Sequence, residues 1–170
     1  MHFNSDEISA LQTFLTVLWH EEFPAASGND FSRLVQENHL RNFQLWHEED
    51  IARRDDIGSE RIHQAKRAID QFNQERNNFI EEMDQAIVSV LHPPESGVPR
   101  NSETPGMMID RLSILSLKEY HMKEQASRAE ASGQHRATCA EKLFRITRQR
   151  ADLTQSLGEI FAAVIAGTRT

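Results

Sequence analysis

The sequence has few of the residues that mark secreted or membrane-embedded proteins. Its 170 residues include one cysteine, seven glycines and five prolines. The lone thiol, Cys139, cannot form an internal disulfide, which favours a reducing compartment. The longest apolar run, residues 160–166, is far shorter than the roughly 20 residues that a membrane-spanning helix needs. The first seven residues, MHFNSDE, show neither a basic start nor an apolar run, so no signal peptide is expected. We therefore predict a cytoplasmic protein that is not embedded in a membrane.

Basic residues are also in the minority. Lysine and arginine number 19 against 26 aspartates and glutamates, which gives a formal net charge of -7. This balance argues against general nucleic-acid binding, which needs a basic face. The sequence has neither a glycine-rich phosphate-binding loop nor the elbow motif of serine hydrolases. No cofactor and no bound metal are predicted.

Helical periodicity is present almost throughout. Apolar residues recur at spacings of three and four in five segments, at about 4–20, 30–56, 59–91, 104–131 and 134–166. No segment alternates as a strand would. The pattern predicts an all-α fold, an antiparallel bundle of four long helices plus one shorter N-terminal helix, in a single domain over residues 1–170.

The fourth segment combines an almost wholly apolar surface with four charged or titratable side chains. A helix that is apolar nearly all round belongs in the middle of a bundle. Within it, one arc of about 100° carries Asp110, Arg111, Lys118 and His121. Charged groups on a buried helix must be paired or must face a wet pocket. We therefore predict that this helix is central and lines a site.

A second group lies on one face of the second helix. Trp46, His47, Asp50 and Arg54 fall within about 100° of one another, beside Phe43. His47 and Asp50 could transfer a proton, and Arg54 could bind an anion. The alternative is a helix end with ion pairs at the surface, each worth a few tenths of a kcal/mol.

The third and fifth helices add two more features. A polar stripe, with Lys66 at its start, continues through the candidate ligand-binding residues Asp70, Asn73 and Asn77, although such stripes are usually solvated. Arg76 and Arg150 each replace an aliphatic residue in an apolar seam, where a guanidinium needs an anionic partner. That partner could be a ligand, or a carboxylate such as Asp110.

Three segments together resemble a bacterial family of unknown function, DUF4254. They are residues 42–54 (NFQLWHEEDIARR), the stripe on the third helix, and residues 101–115 (NSETPGMMIDRLSIL). The resemblance implies a small helical protein with no assigned activity. It also draws attention to Asn101 and Glu103 as candidate site residues.

These observations predict a pocket inside the bundle for a small polar ligand, with an anion favoured. Four cations would hold it: Arg76, Arg111, Lys118 and Arg150. Hydrogen bonds or proton transfer would come from Asp110, Glu103 and His47 or His121, and alanine at Arg111 should abolish binding. One alternative is a protein–protein interaction module or homo-oligomer, because the last helix carries an almost perfect heptad seam. A weaker one is a metal-dependent hydrolase of phosphorylated small molecules.

Overall fold

Five α-helices make up the regular structure of residues 3–22, 24–28 and 30–170, which the computed structural model describes. In chain order they are α1 (Ser5–Glu21), α2 (Phe31–Ala52), α3 (Ser59–Leu91), α4 (Pro105–Ser127) and α5 (Gly133–Ile165). The predicted all-α bundle of four long helices and one shorter N-terminal helix is confirmed. None of the described helices is both long and apolar enough to cross a membrane.

Capping residues in the sequence set most of the helix starts. Asn4 accepts hydrogen bonds from the backbone of Asp6 and Glu7 at the start of α1, and Asp30 does the same for α2 through Ser32. α2 ends at Ala52, short of the predicted end near residue 56, and the chain then turns through Gly58 at a φ of 81°. The left-handed backbone at Gly58 suits glycine, so α3 starts at the next residue as expected.

The central position predicted for the fourth helix is also confirmed. α4 packs against all four other helices, while α2–α3 and α4–α5 are the two pairs with the most extensive contacts. The main core joins fully buried Val35 of α2, Met83 of α3, Ile109 and Leu112 of α4, and Leu157 of α5. A face of α4 nevertheless remains exposed, and this face carries Arg111 and Lys118.

The start of α4 lies unusually close to α3. A Cβ added to Gly106 would lie 2.6 Å from the carbonyl oxygen of Ile80. The backbone N–H of Gly106 donates to Asp84 Oδ1 at 2.7 Å, and Thr104 caps the helix by accepting from Met107 N–H. The distinctive segment before α4 therefore fixes where the two helices cross.

Candidate functional site

A cavity of about 390 Å³ lies between α2, α3 and α4. Its apolar walls are Leu45, Trp46, Ile114 and Leu117. Asn42 and Asn73 supply side-chain amides, and the charged lining residues are Glu49, Arg53, Arg76 and Lys118. Three cations thus face one carboxylate in a protein whose overall charge is negative. We refer to this cavity as the Trp46 pocket.

Helical spacing explains how one side of the pocket forms. Asn42, Trp46, Glu49 and Arg53 follow one another at intervals of four, three and four, which places them along one stripe of α2. α3 and α4 close the other sides, and the tight crossing at Gly106 holds these two helices together.

Arg76 is the partly buried cation of this pocket. Its nearest carboxylate is Asp110, with 3.8 Å between Nε and Oδ1. That oxygen already accepts from the amides of Asn38 at 2.9 Å and Asn42 at 2.8 Å. The Nε atom of Arg76 is buried and has no hydrogen-bond partner among the described residues. The guanidinium is therefore incompletely satisfied within the chain.

A chain of buried hydrogen bonds leads from the pocket floor across the bundle. Asn42 donates to Ser113 Oγ at 3.0 Å, and Ser113 Oγ lies 2.7 Å from His39 Nδ1. His39 Nε2 lies 3.0 Å from the hydroxyl of Thr16, which itself donates to the carbonyl of Gln12. Because the Thr16 proton is used in that way, Nε2 of His39 is the donor and Nδ1 accepts from Ser113. Burial, with a smaller contribution from Arg150, lowers the pKa of His39 from 6.5 to about 3, so the imidazole is neutral.

Three further histidines meet behind Trp46. Trp46 stacks on His121 with ring centroids 4.7 Å apart and planes 6° apart. The ring centroid of His20 lies 5.0 Å from that of His121 and 5.5 Å from that of His47. The ring centroids of His47 and His121 are 6.2 Å apart. Burial, with the neighbouring imidazoles adding to it, lowers the pKa of His47, and burial also lowers that of His121. We call His20, His47 and His121 the histidine cluster.

The structure brings several predicted site residues together. Trp46, Asn73, Arg76 and Lys118 line the Trp46 pocket, and Asp110 lies beneath Arg76. His121 lies behind the Trp46 indole, with His47 farther away in the same cluster.

Other predicted residues of α2 and α3 lie outside the pocket. Asp50 is exposed and pairs with Arg53 at 3.1 Å. Arg54 lies beyond the end of α2, where both its Nε and its Nη2 donate to Asp56. Asp70 and Asn77 are exposed on α3, one turn to either side of the lining residue Asn73. The prediction that Arg54 shares one face of α2 with Trp46, His47 and Asp50 is wrong, because α2 ends at Ala52.

The four predicted cations do not converge. Arg111 points outward and binds Glu103, with 2.6 Å between Nη1 and Oε1. Arg150 lies in a separate groove, where it donates to Glu119 at 3.1 Å and to the carbonyl of Ser9 at 2.6 Å. Neighbours such as Asp110 and Arg111 differ by about 100° around α4, so one faces the core while the other faces solvent.

Asn101 has a structural position. Its backbone N–H donates to the carbonyl of Thr170, and its side-chain oxygen accepts from Arg169 at 3.1 Å. The residue therefore ties the loop before α4 to the C-terminal segment, away from the residues that line the Trp46 pocket.

Sequence reasoning missed Asn42, Glu49 and Arg53 of the pocket, and His20 of the cluster. The signal for the first three was present, because they continue the stripe of Trp46 along α2. His20 carried no such signal, since its position depends on how α1 packs against α2 and α4. In the described part of the chain, no group of three or more His, Cys, Asp or Glu side chains is arranged to hold a metal ion.

Comparison with known proteins gives one match. The family model described as "Protein of unknown function (DUF4254)" matches residues 32–170, which include every residue of the Trp46 pocket. No curated protein and no solved structure matches the chain.

Proposed function

The chain belongs to the DUF4254 family, whose description names no activity, and we propose that its Trp46 pocket binds a small anion that carries a flat apolar group. The observation that supports this most directly is the state of Arg76. Its side chain is partly buried, its buried Nε has no hydrogen-bond partner in the described chain, and its carboxylate neighbour lies 3.8 Å away. A buried guanidinium is costly unless an anion satisfies it. A phosphate or carboxylate entering the pocket would do so.

The second cation and the amides fit the same kind of ligand. Lys118 is exposed at the edge of the pocket and offers a flexible ammonium. Asn73 offers an amide that can donate to an anion or accept from a hydroxyl. The side-chain oxygen of Asn42 can accept from a hydroxyl, since its two N–H groups already donate to Asp110 and Ser113. Asp110, whose Oδ1 lies 3.8 Å from Nε of Arg76, would help to orient the guanidinium.

Trp46 suggests the apolar part of the ligand. Stacking on His121 fixes the orientation of the indole, which forms one wall of the pocket beside Leu45 and Leu117. Rigid aromatic walls favour planar partners, since stacking costs little side-chain entropy. The cavity volume of about 390 Å³ lies in the range of small-molecule sites.

The interaction module receives less support. Its evidence was the heptad seam of the last helix, but Leu153, Leu157, Ile160 and Val164 of this seam are buried in the chain's own core. Homo-oligomer formation therefore has no separate observation in its favour. A metal-dependent hydrolase would need a ligand set that the described residues do not present.

Bacterial origin is proposed from the family resemblance. A cytoplasmic location is proposed from the single Cys139.

Calorimetric titration with phenyl phosphate, phenylacetate and inorganic phosphate tests the proposed function. Phenyl phosphate should bind most tightly, because it can engage both Arg76 and Trp46. Arg76→Met should weaken that binding by roughly 10- to 100-fold, the worth of a charged hydrogen-bonding group. Trp46→Leu should remove the preference for phenyl phosphate over inorganic phosphate.

Arg54→Met is the matched control. It also removes an arginine near the end of α2, but Arg54 is exposed and bound to Asp56 outside the pocket. Its binding should equal that of the wild type. Equal loss in Arg54→Met and Arg76→Met would show that the anion is attracted by general charge, and absence of binding by all three probes would contradict the proposed ligand class.

A further inference from the structure

The Trp46 pocket continues into a second groove, of about 510 Å³, which lies between α4 and α5. Ile114 and Lys118 of α4 border both, so the pocket and the groove form one surface along the exposed side of this helix. The residues that the groove adds are Arg111, Leu115, Gln149, Asp152, Leu153 and Ser156. We call the combined surface the α4 face.

The α4 face is more basic than the chain as a whole. Its charged lining residues in the described structure are the cations Arg53, Arg76, Arg111 and Lys118 and the carboxylates Glu49 and Asp152. The whole chain has 19 basic against 26 acidic residues. In the groove that α1, α4 and α5 line, the balance is reversed, since three carboxylates accompany Arg150 there. Cations gathered on one side of an acidic protein attract an anionic partner to that side.

These cations are spread over more length than one small anion can cover. Arg111 and Lys118 are seven residues apart on α4, which separates them by about 10 Å along the helix axis. An extended peptide advances about 3.3 Å per residue, so about three residues reach from one cation to the other. Ile114 lies between the two and is half-buried, so it offers an apolar contact along the way.

Arg111 is able to take part although it binds Glu103. Its side chain is half exposed, and in the described chain only its Nη1 atom donates to the Glu103 carboxylate. An exposed ion pair of this kind contributes little to stability. The carboxylate of a partner can therefore share or replace Glu103 without disturbing the fold.

The two carboxylates of the α4 face favour a peptide over a nucleic acid. Glu49 and Asp152 can accept hydrogen bonds from the backbone N–H groups of a peptide, and the amide of Gln149 can bind either its N–H or its C=O groups. The phosphodiester groups of a nucleic acid carry no donor, and the charge that they bring at every nucleotide would be repelled by both carboxylates.

We propose that the α4 face docks an acidic peptide segment of a partner protein. An aromatic side chain of the segment would enter the Trp46 pocket, and its carboxylates would bind Arg76, Lys118 and Arg111. The inference rests on the proposed function, because the flat group and the anion that the pocket binds would both belong to the peptide. It adds that the ligand crosses α4, so Arg111 contributes to peptide binding although it lies outside the pocket.

Fluorescence anisotropy of the full chain with a short labelled peptide tests the docking. The peptide carries fluorescein on two glutamates, one phenylalanine and two further glutamates, and is blocked at both ends. It should bind, and phenyl phosphate should displace it. The same peptide with glutamine in place of glutamate should bind roughly ten-fold more weakly or worse, because it has no charge for the cations. A labelled DNA hexanucleotide of thymidine should also bind more weakly than the acidic peptide.

Arg111→Ala separates this inference from the proposed function. It should weaken peptide binding roughly three- to five-fold, as expected for an exposed ion pair, and leave the binding of phenyl phosphate unchanged. Arg54→Ala is the matched control, because Arg54 is also exposed and paired with a carboxylate but lies outside both parts of the α4 face. It should bind the peptide as the wild type does, whereas Arg76→Met should weaken the binding of both ligands.

The two hypotheses fail in different ways. Equal weakening of peptide binding by Arg111→Ala and Arg54→Ala would overturn the docking, and so would binding of phenyl phosphate without binding of the peptide, which leaves the proposed function standing. Peptide binding that depends on Arg111 but not on Arg76 would contradict the proposed function and keep the docking. Tighter binding of the hexanucleotide, or self-association of the chain that blocks the peptide, would assign the α4 face to another occupant and overturn the proposal.

Discussion

Two arginines interrupt apolar seams on either side of α4, and the chain treats them differently. Arg150 of α5 is 8% exposed, and its two terminal nitrogens donate to Glu119 and to the carbonyl of Ser9. Arg76 of α3 has only the 3.8 Å approach to Asp110, whose oxygen two asparagine amides already occupy. The Nε atoms of both arginines lack a hydrogen-bond partner among the described residues. Arg150 is nevertheless held by its two terminal nitrogens, whereas Arg76 makes no hydrogen bond to the described residues and has capacity left for a ligand.

An arginine within an apolar stripe of a helix therefore predicts a cation inside the bundle but does not reveal its role. The role depends on which side chains of the neighbouring helix lie opposite the arginine. Glu119 of α4 faces Arg150 and is itself fixed by a hydrogen bond from Thr147 at 3.0 Å. Asp110 faces Arg76 but belongs to the buried network of α2 and α4. Only the packed structure separates these two cases.

The largest expected effect concerns stability in acid, on the side of α4 where burial and the charge of Arg150 together lower the pKa of His39. The pKa of His39 is about 3 in the folded chain and 6.5 in the unfolded chain. The unfolded chain therefore binds more protons below pH 6.5, and stability falls as the pH falls, with the loss complete near pH 3. His39 alone should lower the free energy of unfolding by about 2 kcal/mol at pH 5 and by about 4 kcal/mol at pH 3.

Urea denaturation at pH 7, 6 and 5 measures this dependence. His47 and His121 also have lowered pKa values and contribute to the same slope. The informative quantity is therefore the difference between the wild type and His39→Gln. The variant should be less stable at pH 7 and should lose less stability on acidification. If its pH dependence equals that of the wild type, His39 is not the buried neutral group described above.

The second expected effect tests the two arginines directly. Arg150→Met should lower the free energy of unfolding by about 3 kcal/mol, because it leaves Glu119 and the Ser9 carbonyl without their buried partner. Arg76→Met should change it by less than about 1 kcal/mol, since no well-formed hydrogen bond of Arg76 is lost and methionine suits an apolar seam. Chemical denaturation of both variants at pH 7 compares them. Similar losses would remove the distinction between a structural and a ligand-binding arginine.

The fold could be predicted from the sequence because its signals are local. Apolar periodicity placed all five helices, and the capping side chains of Asn4 and Thr104 lie next to the helices that they start. Part of the pocket could be predicted for the same reason, since Trp46 and Arg76 lie on apolar stripes and are among its lining residues. What could not be predicted depends on contacts between distant segments. Glu119 and Ser9, which fix Arg150, are 31 and 141 residues away in the chain.

A third effect compares close helix crossings on the two sides of α4. Gly106→Ala should cost about 2 kcal/mol, because the new Cβ would lie 2.6 Å from the Ile80 carbonyl oxygen, and backbone cannot move aside easily. Gly158→Ala, at the α1–α5 crossing, would approach only the rotatable hydroxyl of Ser5, at 2.9 Å. There the gain in helix propensity, up to about 1 kcal/mol, should roughly offset the strain. Thermal unfolding of the two variants measures the difference, and an equal effect would mean that α3 and α4 can separate freely.

The smallest expected effect belongs to Arg111→Ala, for which the sequence alone predicted loss of binding. Arg111 is exposed and binds Glu103 at the surface, a pair worth at most about 1 kcal/mol. It lies outside the lining of the Trp46 pocket, although its neighbour on the exposed face, Lys118, is part of that lining. Arg111→Ala should therefore bind phenyl phosphate as the wild type does, whereas Lys118→Ala should bind it several-fold more weakly in the same calorimetric titration. If Arg111→Ala lost binding and Lys118→Ala kept it, the ligand would occupy the groove between α4 and α5, and Arg76 would be as purely structural as Arg150.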